Sequence, residues 1–221
     1  MLYLDIAIIA GEIVGFVFST WKHGWWRQFI YYTQWSNLLL LIVTVIHLYF
    51  LLRERRKTVP AWIDRCRYYA TCLTTVTFLV TVCILIPWYG HPEFFLLQSN
   101  CLFQHLLCPI FAVASLPFLR QMEKKDCKLA VTPTLLYGIV FYSLDLAGIL
   151  TAPYPFMKVH EQPWYMSILW FLVLLVVAYG VAVLLRKLCG KKREADVEQR
   201  ETRVFISFPV SERRRLLPGV A

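Results

Sequence analysis

The sequence predicts an all-α fold: a polytopic membrane protein built as a bundle of six transmembrane helices, with both termini in the cytoplasm. Three observations predict it. The apolar residues gather into six blocks, each long enough to cross a hydrocarbon core ~30 Å thick at ~1.5 Å per residue. Of 221 residues, 58% are hydrophobic and 17% charged, against the usual ~45–50% and ~25%. Lysine and arginine crowd into alternate connections between the blocks, as the positive-inside rule requires.

The first block, 2–20, carries Asp5 and Glu12. It lacks the basic start and small-residue cleavage site of a signal peptide, so it is expected to stay as a helix. The second, 29–52, holds no formal charge and is followed at once by Arg53-Glu54-Arg55-Arg56-Lys57. Its Thr33, Asn37, Thr44 and His47 fall on one stripe roughly 80° wide at ~100° per residue. Lipid can take the apolar side of this helix. The polar stripe needs other helices or a water-filled pocket.

The third block, 68–88, is rich in threonine and ends at Pro87; Thr74, Thr77 and Thr81 share a face suited to packing. The fourth, 99–119, carries His105. The fifth, 129–150, carries Asp145, and the sixth, 164–185, is the most uniformly apolar. Residues 1–190 therefore form one membrane domain. Residues 191–221 are charged, lack apolar periodicity and are expected to be a disordered cytoplasmic tail.

Orientation follows from the basic residues. Arg53, Arg55, Arg56, Lys57, Arg65 and Arg67 lie between blocks two and three, and Arg120, Lys124, Lys125 and Lys128 between four and five. The other three connections hold only Lys22, Arg27 and Lys158. Trp21, Trp25, Trp26, Trp88, Tyr89 and Trp164 then fall at the exterior boundary as an aromatic belt. The membrane implied is the cell membrane, or an endomembrane in a eukaryote. A net charge of +9 spread over loops does not argue for nucleic acid. The seven cysteines match neither a zinc site nor a disulfide framework. Cys189, beside Arg186-Lys187, stands where a span meets the cytoplasm and where palmitoylation occurs in eukaryotes. No phosphate loop or metal-ligand cluster is present, and no cofactor is implied.

At ~1.5 Å per residue, Glu12, Thr33, Asn37, His105 and Asp145 all fall in the outer half of the membrane, while Asp5 and His47 lie nearer the cytoplasm. A charge at mid-bilayer costs at least ~2.5–3.5 kcal/mol. The expectation is that helices one, two, four and five turn these groups into one shared chamber. Each also has a structural reading: Thr33 and Asn37 as interhelical hydrogen bonds, His105 and His47 as buried histidines, Glu12 and Asp145 as protonated acids. The catalytic reading takes Thr33 as nucleophile, His105 as the base that removes its proton, and Asp145 as the group that orients the base. Asn37, Glu12 and Tyr142 are then candidate substrate contacts.

Three motifs carry a resemblance. Tyr31-Tyr32-Thr33-Gln34-Trp35-Ser36-Asn37-Leu38-Leu39 resembles the aromatic-Thr-x-x-Ser-Asn-Leu-Leu signature of a group of small, mostly prokaryotic six-span membrane proteins. His105-Leu106-Leu107-Cys108-Pro109 resembles their His-x-x-x-Pro, and Ala152-Pro153-Tyr154-Pro155-Phe156-Met157 their Tyr-Pro-Tyr-Pro-Phe-Leu. The resemblance runs to about Leu188. That group is distantly similar to the androgen-induced and androgen-dependent membrane hydrolases, which cleave esters of hydroxylated fatty acids with an intramembrane Thr and His. The resemblance implies Thr33 and His105 in those roles; the role given to Asp145 does not come from it.

The expected function is hydrolysis of a lipid or fatty-acyl ester among membrane lipids. A proton-coupled carrier and a non-catalytic scaffold or sensor are the alternatives. Neither an internal repeat nor a pair of Gly/Pro-broken helices supports the carrier.

Overall fold

The computed structural model describes residues 1–53 and 59–191. The described chain is helical, without a strand, and six of its helices are long and apolar enough to cross a membrane. It is a multi-pass integral membrane protein. The spans are α1 Leu2–His23, α2 Tyr32–Arg53, α3 Ala61–Tyr89, α5 Ser99–Phe118, α6 Lys124–Leu146 and α7 Trp164–Arg186. A short α4, Pro92–Leu96, lies in the connection between α3 and α5. Most of the basic run after α2 and nearly all of the tail read as disordered fall at 54–58 and 192–221, outside the described residues.

The third span starts well before the predicted Tyr68. Ala61 to Arg67 are helical, and Asp64 and Arg67 are buried. The difference has a physical cause. By composition Arg67 reads as a loop charge, but the bundle supplies it with anionic partners, so a helix can carry it below the surface. α6 likewise begins at Lys124 rather than 129, behind a capping box in which Glu123 and Asp126 satisfy each other's backbone amides.

α3 is the centre of the bundle, packing on α2, α5, α6 and α7, with α1 closing against α2 and α5. Ile8, Leu40, Ala70, Cys108 and Ala112 fill the first half, between α1, α2, α3 and α5. Tyr68, Cys72, Leu116, Cys127 and Ala182 fill the second, between α3, α5, α6 and α7. Met1 and Leu188 both pack on this second core. Cys189 is buried there with its Sγ on the Leu185 carbonyl at 3.6 Å. The thiol at this candidate palmitoylation position is therefore covered. All six residues of the expected aromatic belt are exposed.

Two close approaches set helix spacing. A Cβ at Gly15 of α1 would lie 2.7 Å from Gln104 Cγ of α5, and one at Gly11 would lie 2.9 Å from Cys108 Sγ. Only a glycine lets α1 come this near α5. α6 repeats the device at Gly138, where a Cβ would lie 2.4 Å from the Phe171 ring of α7.

Two spans carry a π-helical turn, Thr81–Leu85 in α3 and Leu102–Leu107 in α5. In each, an N–H reaches five residues back: Ile86 to Thr81, and Cys108 to Phe103. A proline follows each turn, Pro87 and Pro109. Proline offers no N–H to the preceding turn, and a locally wider turn accommodates the gap. The second turn carries Gln104 and His105, both buried.

Candidate functional site

The start of α2 is held from α6 and from the α6–α7 connection. The Tyr137 hydroxyl donates to the Ile30 carbonyl at 2.7 Å, and the Tyr32 and Thr134 hydroxyls meet at 2.7 Å. The Tyr32 amide donates to the phenolic oxygen of Tyr154 at 3.1 Å. Thr33 is thus fixed in the first turn of α2, buried, with its hydroxyl beside the same Tyr154 oxygen. Burial pushes the Tyr154 phenol up to about 12, partly offset by hydrogen bonds from Thr33 and the Tyr32 amide. At neutral pH it keeps its proton.

Thr33 faces a cavity of about 670 Å³. His105 lines the same cavity. The walls come from α1, α2, α3 and α5, and the connections at this end of the bundle add Tyr31, Phe95, Gln98 and Tyr154 to the lining. Lys22, His23, His91 and Glu93 also line it. The Lys22 ammonium sits 4.3 Å from the centre of the Phe94 ring, a cation–π contact.

His105 Nδ1 lies 3.0 Å from the Phe95 carbonyl oxygen. A carbonyl oxygen only accepts, so Nδ1 carries the hydrogen, and Nε2 of the neutral ring holds the lone pair. A ring held in this tautomer can take a proton at Nε2.

The chain matches no protein-family model, no curated protein and no solved structure. What the cavity can do follows from its own side chains.

Of the residues expected to share one chamber, Thr33 and His105 line the same cavity, and the others lie elsewhere. Asp145 does not orient His105; the Phe95 backbone does. The Asp145 carboxylate instead accepts from the Ala152 amide at 2.9 Å and the Val159 amide at 2.7 Å, and its own carbonyl accepts from His160 Nε2 at 2.9 Å. It ties down the connection that carries Tyr154. An ionised carboxylate has two oxygens with free lone pairs, and two loop amides satisfy them more directly than a ring on another helix. Asp145→Ala is accordingly expected to leave both amides without their acceptor. Their hydrogen exchange should speed up, and the fold should lose about 1–3 kcal/mol.

Asn37 has no exposed surface and faces the helix interior: its Nδ2 donates to the Thr33 carbonyl at 2.8 Å and the Gln104 carbonyl at 3.3 Å. It braces the main chain behind Thr33 and does not line the cavity. Tyr142 donates to the Phe156 carbonyl at 3.2 Å and borders a second, narrow space on the other side of Thr33. Glu12 is fully buried, beside Cys108 and Gln104 and within the field of Arg67, away from the cavity.

Two features are not foreseen from the sequence. One is a reciprocal amide pair: Gln34 Nε2 donates to Gln104 Oε1 at 2.8 Å, and Gln104 Nε2 to Gln34 Oε1 at 3.3 Å. Gln34 borders the cavity next to Thr33, so this pair locks α2 to α5 between the two candidate residues. The other is a buried ion cluster deeper in the bundle. Asp5 accepts His47 Nδ1 at 2.8 Å and pairs with Arg67 Nη2 at 3.2 Å, and Arg67 also reaches the Thr44 hydroxyl. The polar stripe of α2 is thus divided. Its first turns serve the cavity, and its later turns serve the cluster. The signal for Arg67 is the pair of acids in α1, Asp5 and Glu12, two helical turns apart on one face and in need of a countercharge.

Proposed function

We propose that this protein is an intramembrane hydrolase of a lipid or fatty-acyl ester, with Thr33 as nucleophile and His105 as base. The observation that carries the reading is that Thr33 and His105, from different spans, wall one cavity, with His105 held in the tautomer a base needs. The motifs around these two residues, which resemble those of the six-span group, point the same way.

In this reading Thr33 Oγ attacks the ester carbonyl carbon and gives its proton to His105 Nε2. The new Oγ–C bond forms as the bond to the alcohol oxygen breaks, and His105 passes the proton to that leaving oxygen. Water then repeats the sequence on the acyl-threonine. It loses a proton to His105, releases the carboxylic acid and restores the Thr33 hydroxyl. The Tyr154 hydroxyl, which stays protonated, is the nearby group able to donate to charge developing on the carbonyl oxygen.

A carrier would use Glu12, Asp145 and His105 as ion or proton sites. The engagement of both Asp145 oxygens by loop amides weighs against that alternative.

The test is covalent labelling of the full-length protein by a fluorophosphonate. Labelling is expected in the wild type and is expected to vanish in Thr33→Ala while the amount of folded protein is unchanged. Equal labelling of both would remove Thr33 from the mechanism.

A further inference from the structure

The wide cavity is not the only space that reaches Thr33. On its other side, between α3, α6 and α7, lies a narrow cavity of about 50 Å³. Its walls include Val76, Val80, Tyr137, Tyr142, Phe171 and Leu174. Thr33, Leu85 and Tyr154 border both spaces. The nucleophile of the proposed reaction thus stands at a partition. Charged and amide side chains occur among the aromatic ones on the wide side, whereas the narrow side is aromatic and aliphatic apart from the hydroxyls of Thr77, Thr81, Thr134 and its tyrosines.

We infer that the narrow cavity is the acyl subsite and that the substrate's acyl group is short, with the alcohol part in the wide cavity. Of the two ester classes proposed above, the substrate is then a lipid carrying a short acyl ester and not the ester of a long fatty acid. This rests on Thr33 being the nucleophile. When a hydroxyl attacks an ester, the carbonyl carbon sits at the hydroxyl, so the acyl chain and the alcohol must leave it in different directions. Two spaces meeting at Thr33 provide those directions. The wide one has the volume and the polar groups for a large or polar alcohol. The narrow one suits hydrocarbon. Its size sets the length: a water-sized group needs ~10–15 Å³ of such space, so 50 Å³ admits roughly three to five non-hydrogen atoms. An acetyl to butanoyl group fits. Between α6 and α7 the space ends at a tight contact, since a Cβ on Gly138 would lie 2.4 Å from the Phe171 ring. Phe171 is therefore the wall that limits chain length.

The experiment is hydrolysis of p-nitrophenyl acetate, butyrate, octanoate and palmitate by the full-length protein in detergent, with Thr33→Ala as the control. A methylene that fits or fails to fit a pocket changes kcat/KM by about 10-fold or more. Thr33-dependent kcat/KM is expected to be highest for acetate or butyrate and at least ~10-fold lower for octanoate. Phe171→Ala, with Leu174→Ala as a second variant in case the first does not fold, is expected to move the optimum toward octanoate. A Thr33-dependent profile that is flat or rises with length overturns the short-acyl inference and leaves the nucleophile in place. So does an optimum that neither wall variant moves. If no ester is hydrolysed in a Thr33-dependent way, the subsite and the catalytic reading fall together.

Discussion

Arg67→Ala is expected to destabilise the folded bundle by about 3–5 kcal/mol. Arg67, Asp5 and Glu12 have no exposed surface, and His47 is nearly as covered. The guanidinium pairs with Asp5 at 3.2 Å, bonds Thr44 and acts on the Glu12 carboxylate. Removing it leaves the Asp5 carboxylate buried with only the His47 Nδ1 contact, and takes from Glu12 its cationic neighbour. The cost of an uncompensated buried charge exceeds the worth of the hydrogen bonds that the guanidinium makes. Thermal unfolding in detergent measures it. Neutralising the acids as well, with Asp5→Asn and Glu12→Gln on a background of Arg67→Met, is expected to recover much of the stability. Simple additivity of the three substitutions would show that the cluster does not act as a unit. The cluster joins α1, α2 and α3, so its removal should also loosen the packing of α1 on Gln104 and, through Gln34, the wall of the cavity.

His105→Ala is expected to lower Thr33-dependent ester hydrolysis by about 10²–10⁴-fold, the usual contribution of a positioned base. The fold should be little affected, because among the described residues the ring's hydrogen bond is to the Phe95 carbonyl, worth about 0.5–1.5 kcal/mol. The contrast with Asp145→Ala is informative. An orienter of the base would lower the rate as a direct partner does. Loss of a brace on the Tyr154 connection should speed loop exchange, and should lower kcat only as far as the Tyr154 hydroxyl is displaced, less than loss of the base itself. Full activity in His105→Ala, with the protein folded, would leave the ring a structural role only.

Some of this is legible in the chain. The apolar blocks and their lengths are properties of consecutive residues, and hydrophobic transfer acts on them before any helix meets another. The stripe of α2 is also legible, because helical period alone puts Thr33, Asn37, Thr44 and His47 on one side, and all four are buried. Arg67 shows where such legibility stops. By composition it belongs to a loop; by partner it belongs to the core. Asp145 shows the same limit from the other direction. Its depth along α6 places it level with His105, but depth says nothing of direction around the helix relative to other helices. The main-chain amides that claim it belong to a connection with no periodicity to read.

The sequence by itself determined that this protein is a six-span membrane bundle and that hydrophilic side chains must be turned away from lipid. Tertiary structure alone decided how those side chains are shared out. Thr33 and His105 went to a cavity, Asn37 to the backbone behind it, Asp145 to a loop, and Asp5, Glu12, His47 and Arg67 to a buried cluster. The reason is that burial energy is fixed by residue type and can be summed along a chain. Hydrogen bonds and ion pairs depend on distance and angle between helices, which here are set by glycines at 11, 15 and 138 and by the two widened turns.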